Sequence, residues 1–358
     1  MQNSVPAKRL EAADLQANGR LAVNDTRSNI PSVVERARTF AAGAPVVAIH
    51  FLESTAVFVL GEEALLLVAM DGAQSRVPVH GGAILSSASD GSRVITGGDD
   101  GKVVATAADG TSALIAADAK RRWIDHVAIG RNRTTAWSVG KQAFVDAGKA
   151  GPEALEVPST VGGLAFAPKG LRLAIAHYNG ATLWFPNAKT EPEQLAWKGS
   201  HLAASFSRDG RFLVTAMHEP VLHGWRLADR HDMRMQGYAV RVRSLDWTAN
   251  GKWLATSGAT HLVLWPFQGK DGPMGKGAQL FAPAEDNVET VACHPRHPII
   301  AVGYADGLLL LVRISDGAEI LAKRPGSAPV TALSWSPDGT VLGFGTEDGE
   351  AGIISDLG

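Results

Sequence analysis

Cys293, His294 and His297 fall within five residues, Cys-His-Pro-Arg-His, and form the tightest cluster of metal-ligating types in the chain. Thiolate and imidazole at such spacing could begin a zinc site. The glycine-rich stretch 269–277, GKDGPMGKG, has neither the spacing nor the strand-to-helix setting of a phosphate-binding loop, and reads as a flexible insertion. No nucleophile elbow, no His-Glu-x-x-His helix and no EF-hand loop can be written along the 358 residues. The expectation is a protein with no catalytic residues, no cofactor and no bound metal.

Basic residues gather at Lys120, Arg121 and Arg122, and again at Arg230, Arg234, Arg241 and Arg243, in or near connections leading into a first strand. No aromatic stacking platforms are interleaved with them, as single-stranded nucleic acid would need. A net charge of −2 and a pI near 6.6 give no overall field towards nucleic acid or anionic lipid. Solvated loops, or a site for an anion or acidic peptide, are the two readings of these clusters. One cysteine excludes an internal disulfide and suits a reducing compartment. The first nineteen residues lack the apolar run of a signal peptide, and no stretch is apolar enough to span a bilayer. A cytoplasmic protein is expected.

The elements that would position these residues come from a repeat. Residues 330–357, VTALSWSPDGTVLGFGTEDGEAGIISDL, read as three strands separated by two Asp-Gly turns. Copies of this template start near 288, 242, 201, 161, 123, 82 and 46, which makes eight with the one at 330. Asp338-Gly339, Asn250-Gly251, Asp209-Gly210 and Asp90-Gly91 supply the positive φ of the first hairpin turn. Asp348-Gly349, Asp306-Gly307, Asn179-Gly180 and Asp100-Gly101 supply that of the second. A lone unit of this size is marginal in water, so neighbours must stack to bury a core. The last unit lacks a fourth strand, and the segment 33–40 is the expected donor, closing the array and removing an open edge.

The order Ser-Pro-Asp-Gly, Leu-Ala-x-Gly, Asp-Gly, and then a strand ending in Leu-Trp is similar to the WD-repeat family over about residues 46–357. The resemblance implies an all-β chain, a single β-propeller of eight four-stranded blades, with seven as the alternative. Residues 1–32 stay unassigned and 33–358 form the propeller. Trp184, Trp225 and Trp265 take the family's tryptophan position and are expected to be structural, packed between blades. The aspartate that should follow is replaced by Phe185, Arg226 and Pro266, so the family's Asp-His-Ser-Trp network is not expected to be regular. In this alignment His294-Pro295 replaces Ser336-Pro337, so the Cys-His cluster reads as a turn carrying a small buried thiol.

Aligned on the second turn, Trp137, His177, His218, Gly258, Tyr304 and Thr346 share one template position, and four of the six bear rings. They are expected to surround the axial opening on one face, together with Trp123, His201, Arg241 and Arg243 from the connections. Aromatics and arginine are enriched at interfaces. The expected role is a non-catalytic, monomeric platform for another protein or peptide. The alternative is a small-ligand or metal-handling protein using histidines in the channel, with an enzyme third.

Overall fold

The computed structural model describes residues 30–148, 151–186 and 188–357, so nearly all of the unassigned segment 1–32 lies outside it. Every described element is a strand apart from two single-turn 3-10 helices, Val34–Arg36 and Arg131–Arg133. The turns explain the hairpins. Asp90 accepts the backbone N–H groups of Ser92 and Arg93 on its Oδ1, while Gly91 sits at φ +82°. Asp338 and Gly339 repeat the device, with Ser336 Oγ donating to the carboxylate.

The first strands of the eight repeat units are Val46–Leu52, Ile84–Ser89, Val127–Ile129, Val161–Phe166, the second half of Glu193–Phe206, Leu245–Trp247, Val288–Cys293 and Val330–Trp335. Successive first strands pack side by side around a central channel. Counted as hydrogen-bonded sheets the propeller has seven, the alternative number: six have four strands and one has six. The difference from eight arises because the fourth and fifth units are joined. Leu173–Trp184 supplies both middle strands of the fourth unit, turning at Asn179 and Gly180. Glu193–Phe206 is then the outer strand of that unit and, past Gly199, the first strand of the next. The pairing of Tyr178 with Ser200 carries the ladder across both bends, where Asn179, Gly180 and Gly199 take positive φ.

Closure uses Ala37–Ala41, which pairs antiparallel with Glu350–Ile354 in register Ala37↔Ile354 to Ala41↔Glu350. The strand thus starts later than 33, because residues 34–36 are a 3-10 turn. The residues before it clasp the seventh unit as well: Leu321 N–H donates to Pro31 O and Val33 N–H to Leu321 O.

The core lies between sheets. Leu52, Val59 and Leu67 of the first unit bury against Ile84, Val94 and Val104 of the second, and equivalent clusters recur around the ring. Trp184 lies between the third and fourth units, Trp225 between the fourth and fifth, and Trp265 between the fifth and sixth. Trp225 is the most enclosed, at 2% exposure.

Candidate functional site

Strand direction assigns every loop to one of two faces. Connections leading into first strands lie on the same side as the turns between second and third strands, called here the upper face. The Cys-His run is not on it. His294 Nδ1 accepts the N–H groups of Arg296 and His297, and its Nε2 reaches Gly339 O at 3.0 Å. It is a turn residue, buried beside Trp335. Burial pushes the Cys293 thiol up, away from the thiolate a metal requires. Among the described residues no group of three His, Cys, Asp or Glu could hold a metal ion. The insertion 269–277 is pinned by an ion pair of Arg226 with Asp271 and by Arg211 donating to Gly269 O.

The expected ring of Trp137, His177, His218 and Tyr304 is corrected in three of its members. Trp137 is buried, stacked on Phe144 and packed against Ile95 and Ile124 between the second and third units. His177 is 3% exposed, with Nδ1 on Tyr178 O and Nε2 on Thr182 Oγ1, both at 2.9 Å. Tyr304 is fully buried and donates to Ala282 O at 2.5 Å. His201 is buried too, bonded to Thr215 Oγ1 at 2.7 Å and to Trp197 O. Side chains alternate along a strand, so a position shared by several units is shared inward or outward together. This one faces inward at His177 and Tyr304, which pair with Val161 and Val288; in the fifth unit that pairing belongs to Met217, so His218 stands one residue further on and faces out. Arg230 and Arg234 are also corrected: they lie at the third-to-outer turn and on the outer strand of the fifth unit, away from the upper face.

Trp123, His218, Arg241 and Arg243 are exposed on the upper face. Residues that the sequence pattern did not single out join them. Among the described residues nine large apolar side chains are exposed, and five of them, Val47, Leu85, Trp123, Tyr178 and Val240, belong to upper-face ends or loops. Tyr178 is 57% exposed although its neighbour His177 is buried. The signal for it was in the sequence: one step along a strand changes the face.

Trp123 is held out by a built loop. Asp118 accepts N–H groups from Lys120 and Arg122, and both a 3.2 Å and a 2.7 Å bond from the Arg122 guanidinium. The Arg122 side chain holds the Asp118 carboxyl at about 2, well below the usual carboxylate range. Asp118 N–H donates to Gly101 O and Ile124 N–H to Gly98 O, which anchors the loop to the second unit. Gly101 sits at φ +80°, and a Cβ there would stand 2.8 Å from Arg121 Cα, so glycine is required. Ile124 is fully buried while Trp123 is 61% exposed. Tyr178 is similarly mounted, its N–H on Ser159 Oγ and the following Asn179 accepting Gly199 N–H. Rigid mounting of a large ring lowers the ordering cost of binding.

Two cavities of about 320 and 310 Å³ lie along the inner strands. The first is lined by Arg243, Ser244, Glu289, Thr290 and Thr331 among others, with Arg243 and Glu289 3.5 Å apart. The second contains Arg208, Asp246 and Trp247. Burial raises the Asp246 carboxyl, although both its oxygens accept backbone N–H groups, from Trp247 and Cys293. That carboxylate ties two neighbouring units together. No histidine lines either cavity.

The family network survives in fragments. In the second unit His80 bonds Asp100 at 2.9 Å and Thr96 at 2.8 Å. In the sixth, Tyr238 replaces the histidine, bonding Thr256 and accepting from Trp265 Nε1. No helix of the described residues is long and apolar enough to cross a membrane.

Residues 291–356 match the family described as Anaphase-promoting complex subunit 4 WD40 domain, and residues 232–265 match the WD domain, G-beta repeat. No curated protein matches the chain in sequence. Among solved structures, a crystal structure of the computationally designed Ika8 protein is similar, with a TM-score of 0.72 and 16% identity over 88% of this chain and 97% of that one. At that identity the likeness is one of fold. With WD-repeat matches in the sixth to eighth units and the same plan around the ring, the chain is a WD-repeat β-propeller.

Proposed function

We propose that the chain is a non-catalytic protein-interaction platform of the cytoplasm, and that it presents its upper face to another protein or peptide. Fold alone supports this only by analogy. The observation that carries it is the gathering of five of the nine exposed large apolar side chains on that face, with Trp123 and Tyr178 on fixed mounts. Exposed rings held in place beside arginine are what interface centres are made of. The channel histidines give less support to a ligand- or metal-handling role, since His177 and His201 are committed to threonine hydroxyls inside the sheets.

The test compares immobilised wild type with the double variant Trp123→Ala, Tyr178→Ala, identifying by mass spectrometry what each retains from native lysate. Partners retained by the wild type should be lost from the variant, whose thermal midpoint should be unchanged. Identical retention by both would remove the upper face from consideration.

A further inference from the structure

The upper face is not uniform in charge. Its loops 118–126, 140–141, 178–180, 198–200, 218–220 and 237–244, over the third to sixth units, carry seven lysines and arginines against three carboxylates. Loops 61–63, 98–101, 282–287, 305–308, 324–329 and 347–349, over the remaining units, carry one arginine against nine carboxylates. The other upper loops hold no formal charge. Since the whole chain is only −2, this division is a matter of placement. At physiological salt, charges farther apart than about 8 Å are screened from one another, so each half acts as a separate surface.

The apolar anchors follow the basic half. Trp123, Tyr178 and Val240 belong to it, and they include the exposed tryptophan and tyrosine of the upper face. Its cations are unequal. Arg122 is spent on Asp118 and Arg243 approaches Glu289, whereas Arg121, Lys198 and Arg241 have no carboxylate partner among the described residues. Arg121, Lys198 and Arg241 come from three different connections, those leading into the third, fifth and sixth units.

We propose that the basic half of the upper face binds a short acidic segment of a partner protein, its apolar side chains seated on Trp123 and Tyr178 and its carboxylates on Arg121, Lys198 and Arg241. This deepens the interaction role proposed above and rests on it. Carboxylates meet unpaired guanidinium groups in two-pronged hydrogen bonds, and apolar side chains meet rings whose position is already fixed. A short segment is favoured over a nucleic-acid strand because a longer polyanion would run from this half onto the nine carboxylates of the other. A basic segment would bring its cations against Arg121, Lys198 and Arg241.

The probe is a randomised twelve-residue peptide display library panned on the full chain, followed by fluorescence polarisation with the enriched peptides and with a twelve-nucleotide single-stranded RNA. Enriched peptides should carry net negative charge with at least one aromatic or leucine. Their affinity should fall at least tenfold in Trp123→Ala and in Arg241→Glu, and should weaken as salt rises. The control Leu114→Ser, on the outer strand Ser112–Ala117 of the second unit and away from the upper face, should bind as the wild type does. Basic or neutral peptides lost on Trp123→Ala would overturn the acidic segment and leave the platform standing. RNA binding tighter than the peptides and dependent on Trp123 would overturn it too. Peptides indifferent to every upper-face substitution, or no enrichment at all, would remove both readings. All three substituted residues are exposed, and circular dichroism and the thermal midpoint confirm that the variants are folded.

Discussion

The second and fifth units answer the same structural demand with different chemistry. Both carry threonine at the fourth position of the second strand, Thr96 and Thr215, and both bond it to a histidine, His80 from the connection before the first strand or His201 from the first strand itself. In the second unit the other imidazole nitrogen goes to Asp100, whose carboxylate also takes the N–H groups of Gly81 and Lys102. In the fifth it goes to Trp197 O. Across from the threonine, the third strand bears Val104 in one unit and His223 in the other. His223 has neither ring nitrogen hydrogen-bonded, and lies stacked on Trp197 at 4.0 Å and edge-on to Trp225. One unit is held by a satisfied polar network, the other by an aromatic cluster enclosing an imidazole. The repeat preserves the position and the burial, and leaves the means to local sequence.

The difference is sharpest at Trp225. Its counterpart in the second unit is Thr106, which bonds Ser112. Trp225→Ala would empty a site between the fourth and fifth units and should cost about 3–5 kcal/mol, read as a large fall in the thermal midpoint. The comparison breaks if Thr106→Ala costs as much.

A smaller effect is expected at His80. His80→Ala removes one of the two partners of Thr96 Oγ1, which keeps Val104 O, and one partner of Asp100, both largely buried, for about 1–3 kcal/mol. Burial works against ionised Asp100, yet the Gly81 N–H and the His80 imidazole outweigh it and hold its carboxyl at about 2. The variant should therefore also raise the pH at which acid unfolding begins. An acid limb that does not move would show that the backbone N–H groups suffice without His80.

How far these arrangements were legible depends on where the information sits. Asp-Gly turns and period-two alternation gave the strands because both are local, and the unpaired last unit pointed to a donor at 33–40, of which 37–40 fall in the closing strand Ala37–Ala41. The joining of the fourth and fifth units was not legible, since it depends on how tightly residues 178–180 and 198–200 bend. At the site, Trp123 could be found from its connection, but the ring template chose His177 in place of Tyr178. A template position fixes equivalence between units without saying which way it points, and a slip of one residue exchanges core for solvent. His80 was missed because its glycine follows it (His80-Gly81), the reverse of the Gly-His order.

The smallest effect at neutral pH, and the most specific, belongs to His223. Burial pushes its imidazole down to about 3, with His201 and Arg234 adding to the shift, while the Asp232 carboxylate 4.0 Å away is half exposed. The unfolded chain takes up this proton near pH 6.5 and the folded protein does not until far lower. Stability from keeping His223 neutral is thus complete above about pH 6.5 and drains away as pH falls towards 3. His50, pushed down to about 4 by burial, acts in the same direction. Replacing His223 by leucine brings the fifth unit closer to the second, with its Val104. It removes two unbonded buried nitrogens as well as the proton linkage, and substituting an apolar group for an unpaired polar one is neutral or stabilising. Thermal midpoints of wild type and His223→Leu should therefore nearly coincide at pH 7.5, or favour the variant, and separate as pH is lowered to 5, with the wild type falling faster. Parallel curves over that range would mean that His223 is already satisfied in solution, and the contrast between the two units would reduce to their tryptophan.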